Sequence, residues 1–180
     1  LTRMDTHDEV DRIIDAWQRE RPDLDVTPLA ILSRVSRLNR HLDRARREIF
    51  AKNHLEPWEF DVLAALRRAG SPYTLSPGAL VTQTMVTSGT MTNRIDRLTA
   101  RGLVERNPSP DDRRGVLVRL TAEGLANVDT AFTDLLDIEH RALAALPEAI
   151  QPELAGLLRT LTQQFETLSW PRCGRASPVE

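Results

Sequence analysis

The chain has 180 residues, 41% hydrophobic and 28% charged, with a net charge of −2. That length fits one domain or one and a half, with enough apolar side chains for a core. It excludes a polycation; no apolar run approaches the ~20 residues of a membrane helix, and the single cysteine, Cys173, excludes an internal disulfide framework. There is no charged n-region followed by an apolar h-region, so a cytoplasmic location is expected.

The first predicted helix is HDEVDRIIDAWQRERP, where Val10, Ile13, Ile14 and Trp17 follow the i, i+3, i+4, i+7 spacing of an apolar stripe. It ends before Pro22, and PDLDVTP is a linker. A longer helix follows, with Thr27 as N-cap and Pro28 in its first turn. Leu29, Leu32, Val35, Leu38, Leu42 and Ile49 line one face. LEPWEFDVLAALRRAG reads as a compact helix opened by Glu56 and Pro57 and stopped by Gly70. SPYTLSPGALVTQTM contains a short helix flanked by turns. A further helix opens at Thr87 or Ser88 and ends at Gly102. GLVERNP and GVLVRLT alternate as two short strands around an exposed tip, SPDDRR. Two long helices close the chain, and WPRCGRASPVE reads as a disordered tail.

The expected fold is mainly α with a small β-hairpin wing: a winged helix-turn-helix plus a helical dimerisation layer. The expected division is 1–56 for the N-terminal helices, 57–121 for a DNA-binding domain, 122–170 for C-terminal dimerisation helices and 171–180 for the tail. The two outer stripes read as a dimer layer or, alternatively, as a monomeric bundle.

Between Thr87 and Thr121 stand seven arginines against four acids, a locally basic segment in a mildly acidic chain. At about 100° per residue, Met91, Ile95 and Leu98 share the inner face of the helix, and Thr90, Asn93 and Arg97 fall together outside. Small polar side chains and arginine on an outward face suit a major groove. Thr87 and Ser88 at the helix start can offer hydroxyls and N–H groups to phosphate. Arg113 and Arg114, at the tip, can clasp a phosphate or enter a minor groove. Arg94 lies inside the apolar stripe. Either its stem packs while its head reaches solvent, or it marks an internal anion site with Asp61 on the inner side of an adjacent helix, LEPWEFDVLAALRRAG.

SGTMTNRIDRLTARGLVER, DDRRGVLVRLTAEG and LEPWEFDVLAALRRAG together resemble the MarR family of winged-helix transcription regulators, over roughly 27–168. The resemblance implies a homodimer with paired terminal helices, reading near-palindromic double-stranded DNA and in most cases repressing until a small molecule binds. Trp17, Asp61, Arg94 and Arg106 resemble the set found in the family's urate-responsive branch, which carries an extra N-terminal helix. That narrower resemblance implies an anion held by Arg94 and Arg106 and walled by Trp17. It also implies that repulsion of Asp61 would move the recognition helix. The same four residues occur in relatives answering to citrate- or aconitate-like tricarboxylates, so urate and tricarboxylate both stay open. Trp17 can equally serve to dock its own helix.

No enzyme is expected: there is no phosphate loop, dinucleotide fingerprint or GxSxG. No cofactor is expected, nor a metal, since His7, His41, His54 and His140 are scattered. Two alternatives remain, an architectural DNA-binding protein without a ligand and a redox-sensing regulator built on Cys173.

Overall fold

A computed structural model describes residues 7–108 and 115–168. The arginines at 113 and 114 and the cysteine at 173 lie outside the described residues. The elements run α1 (Glu9–Glu20), α2 (Leu29–Lys52), α3 (Pro57–Arg68), β1 (Thr74–Leu75), α4 (Pro77–Thr84), α5 (Ser88–Ala100), β2 (Val104–Pro108), β3 (Val116–Leu120), α6 (Ala122–Leu143) and α7 (Gln151–Thr167). A 3-10 turn at Glu148–Ile150 precedes α7. The fold is mostly helical with one small antiparallel sheet, as the sequence pattern predicts. Two compact units divide inside α6, between Leu135 and Leu136.

In the first unit, α1 is fixed at its start and docked by charge. The Asp8 carboxylate accepts from the N–H groups of Val10 and Asp11, and the Asp11 carboxylate accepts from the Asp8 N–H, a reciprocal cap. Arg34 of α2 donates to Asp8 at 2.9 Å and to Asp11 at 2.8 Å, and Arg37 pairs with Glu9. Val10 is the buried anchor of this helix. The start of α2 differs from expectation. The helix opens at Leu29 with Pro28 as its cap, and the Thr27 hydroxyl donates instead to Asp25. A side chain engaged by the preceding loop is drawn away from the helix N-terminus.

The core lies under α3 to α5 and the sheet. Val62, Leu63, Leu66, Leu80, Met91, Ile95, Leu98, Leu103 and Val118 are all essentially excluded from solvent. At about 1.5–3 kcal/mol per fully buried aliphatic side chain, this set dominates the stability of the lobe. α6 joins it through Val128 and Ala131. Gly124 is required there, because a Cβ at this position would stand 2.0 Å from the Leu103 carbonyl oxygen.

The expected two-stranded wing is part of a three-stranded sheet of order β1-β3-β2. β2 pairs with β3 with Arg106 opposite Val118, and β1 adds Thr74 opposite Arg119. The SPYTL segment read as turn because a two-residue strand shows no alternation; it exists through its distant partner. α4 ends at Met85 in the left-handed region, φ 53°. That turn redirects the chain to the α5 cap, Thr87, whose hydroxyl accepts from the Thr90 N–H.

In the second unit, the Gln151 side-chain amide at the start of α7 donates to the carbonyls of Leu143 and Leu146, closing the connection from α6. α7 has no buried residue, and Leu157, Leu158 and Phe165 are exposed along it.

Candidate functional site

The inner face of α5 is set by Met91, Ile95 and Leu98, which are buried. Their packing turns Ser88, Thr90, Asn93 and Arg97 into solvent, with Thr87 exposed at the cap. Arg94, one turn from Met91, is half-buried at the border of the two faces.

Trp58, in the first turn of α3, is the residue that organises this border. The Arg94 guanidinium lies 5.5 Å from the indole centre and the Arg97 guanidinium 4.7 Å from it. Three residues apart on a helix, the two arginines are neighbours, so one ring serves both. A cation over an exposed aromatic ring is worth about 0.5–1 kcal/mol. A charge-assisted hydrogen bond is worth roughly 1.5–3 kcal/mol. Among the described residues neither arginine donates to a carboxylate, so both keep their stronger donor capacity. Trp58, Gly89, Thr90, Asn93, Arg94 and Arg97 line one open concavity of about 420 Å³.

Asp61, one turn along α3, is close enough to Arg94 for their charges to interact. Burial pushes its carboxyl above the ordinary value of 3.8, and the opposing fields of Arg94, Arg46 and Arg68 only partly offset that. The residue as a whole is nevertheless exposed, so Asp61 stands at the rim of α3 rather than on the inner side that the sequence pattern predicts. The structure thus brings Asp61 and Arg94 within electrostatic reach without a hydrogen bond between them.

The other two residues of the four stand elsewhere. Arg106 lies inside β2, where its guanidinium pairs with Asp96 of α5 at 2.6 Å, tying the sheet to the exposed side of that helix. Trp17 lies on α1 and is 48% exposed. Among the described residues no ring contact or hydrogen bond joins its side chain to Asp61, Arg94 or Arg106.

Two features escaped the sequence reading. Trp58 is one. The other is a clasp at the far end of α5. Glu59 is the one buried charged residue among those described, and its carboxylate accepts from Arg101 at 2.5 Å and from the Glu56 N–H at 2.9 Å. The other arm of Arg101 donates to the His54 carbonyl at 2.7 Å. The signal available was Glu56–Pro57–x–Glu59, a reciprocal cap that places Glu59 at the third helical position.

The geometry is that of a helix-turn-helix presenting a polar, arginine-bearing face, and known proteins share the fold. Residues 55–115 match the family model described as the MarR family. The HTH-type transcriptional regulator PecS of Dickeya dadantii is 39% identical over 150 residues, 83% of this chain and 90% of PecS. A cysteine-to-serine mutant of Escherichia coli MarR, solved with operator DNA, superposes with a TM-score of 0.62 at 30% identity. That match covers 77% of this chain and 99% of the other. BpsR of Bordetella bronchiseptica, whose DNA binding is regulated by 6-hydroxynicotinic acid, superposes with a TM-score of 0.55 at 31% identity, over 72% of this chain and 98% of the other. The chain is a transcription regulator rather than an enzyme, and it belongs to the MarR family.

Proposed function

We propose that this regulator is a homodimeric repressor released from a near-palindromic operator by a small organic anion. Thr87, Ser88, Thr90, Asn93 and Arg97 form its DNA face, with the arginines at 113 and 114 as wing contacts. The anion is urate or a tricarboxylate of the citrate and aconitate kind, held at Arg94. The observation that carries the reading is Arg94 itself: a half-buried guanidinium with no carboxylate bonded to it among the described residues, beside an Asp61 whose charge is disfavoured. Such a pair accepts an incoming anion at Arg94 more readily than an ion pair already closed. Trp17 and Arg106 enter the reading through the resemblance to the urate-responsive branch. The regulation of BpsR by 6-hydroxynicotinic acid supports a small aromatic carboxylate as a further probe.

The test is fluorescence anisotropy on an operator selected from random duplex DNA, with urate, citrate, aconitate and 6-hydroxynicotinate added in turn. At least one should raise the operator Kd tenfold or more at constant ionic strength. It should also raise the Tm of the free protein, as any ligand of the native state does. An architectural protein would bind DNA and respond to none of the four.

A further inference from the structure

The turn between α4 and α5 carries a side chain that the fold does not use. Met85 is 91% exposed, and its backbone stands at φ 53° and ψ 40°. That left-handed region suits glycine, and a side chain there strains the chain. The residues around it are engaged: the Thr84 hydroxyl donates to the Leu80 carbonyl, Val86 is half-buried, and the Thr87 hydroxyl caps α5. Met85 is both strained and nearly unpacked. Strain at a residue that adds nothing to the core points to a role outside it.

We infer that Met85 determines operator specificity by laying its thioether against the methyl group of one thymine in each half-site. The inference rests on the DNA face proposed above and adds an apolar reader to it. The exposed positions run Met85, Thr87, Ser88, Gly89 and Thr90, broken only by half-buried Val86. An operator lying against the start of α5 therefore also meets the turn before it. Base edges in the major groove offer hydrogen-bond donors and acceptors and one apolar group, the thymine methyl. A thioether sulfur is a weak acceptor and donates nothing, so phosphates and polar base edges give it little. The methyl is the partner that its chemistry matches, and an unbranched side chain with three rotatable bonds can adjust to reach it. The polar residues of α5 discriminate by hydrogen bonding, whereas Met85 discriminates by taking a methyl group out of water.

The experiment replaces each thymine of the selected operator by deoxyuridine, one symmetric pair at a time. Deoxyuridine keeps every hydrogen-bonding group of thymine and lacks only the methyl. Anisotropy titrations compare the wild-type chain with Met85→Gly, which suits the left-handed backbone and should keep the melting profile. Met85→Asn, also at home in that region, repeats the comparison with a polar tip. At one pair of positions deoxyuridine should raise the wild-type Kd about fourfold for each methyl lost, the worth of one buried carbon. Met85→Gly and Met85→Asn should bind the thymine operator more weakly by the same factor and be indifferent to deoxyuridine at that pair. Met85→Leu, with an apolar tip, should retain the preference. A deoxyuridine profile that is the same in the wild type and both polar or truncated variants overturns the inference and leaves the proposed function standing. A wild-type chain that selects no operator from random duplex overturns both.

Discussion

Asp61 is a side chain whose charged form the fold disfavours. Its carboxyl is held above the ordinary 3.8 because burial outweighs the neighbouring guanidiniums of Arg94, Arg46 and Arg68. A group whose pKa is raised by folding lends its full stability below its unfolded value and loses it as pH rises through the raised value. At pH 7 the ionised carboxylate is therefore a cost to the fold. Asp61→Asn should raise the Tm at pH 7, and the advantage should shrink as the pH is lowered toward 3.8. A melting series from about pH 3.5 to about pH 7.5 checks this, and a variant no more stable than the parent at pH 7 would contradict it. Asp61 and Arg94 were legible in the sequence because a charge at apolar helical spacing is a local pattern. Trp58 was not, since spacing along α5 says nothing about which side chain of α3 it meets. The wheel also drew Arg94 and Arg97 as members of separate faces, whereas one ring within reach of both guanidiniums joins them.

At the scale of the elements, the placement of α5 depends on both ends being held. Its start is capped by Thr87, and its finish is clasped to the corner between α2 and α3 by Arg101. The clasp is lopsided: the Glu59 side chain is 2% exposed and that of Arg101 38%. Removing the arginine strands a buried carboxylate, at about 3 kcal/mol. Neutralising the acid leaves a guanidinium that water can still solvate, and Glu59→Gln keeps acceptor and donor in place, at about 1 kcal/mol. Urea unfolding of Arg101→Ala and Glu59→Gln should separate the two by this margin; equal losses would mean that the Glu59 carboxylate is not desolvated. The helices themselves were readable from their caps and stops, such as Glu56, Pro57, Gly70 and Gly102. β1 was not readable, because Thr74 and Leu75 become a strand only through Arg119 and Val118, far along the chain.

For the molecule as a whole, the exposed apolar side chains need cover. On α2, Ile31 is 57% exposed and Leu38 54%; on α7, Leu157 is 59% exposed. Each face is long and apolar, and a second copy of the chain is the occupant that a homodimer supplies. Sedimentation at micromolar concentration should give twice the 20.3 kDa of one chain. Leu157→Asp and Ile31→Asp should shift the equilibrium toward monomer and lower operator affinity at least tenfold, because two linked half-sites become one. A wild-type chain sedimenting as a monomer would remove this basis for a palindromic operator. The apolar stripes were legible from their period alone. What covers them was not, since periodicity records that a face is apolar and not whose face meets it.

The corner that holds α5 also carries the only lysine of the chain. Lys52 bonds Asp134 of α6 at 3.0 Å together with Asn53, and the two donors hold the Asp134 carboxyl below its ordinary value. This makes the protein a substrate with one ε-amine for acylating reagents, and its labelling rate becomes a clock for that corner. The bond to Asp134 holds the amine in place, so every loosening of Lys52 from Asp134 should change the rate of the reaction. An effector that acts by occupying the DNA face should leave the rate unchanged, while one that shifts α2 against α6 should change it. Mass spectrometry of a single peptide is then enough to time the motion, or its absence.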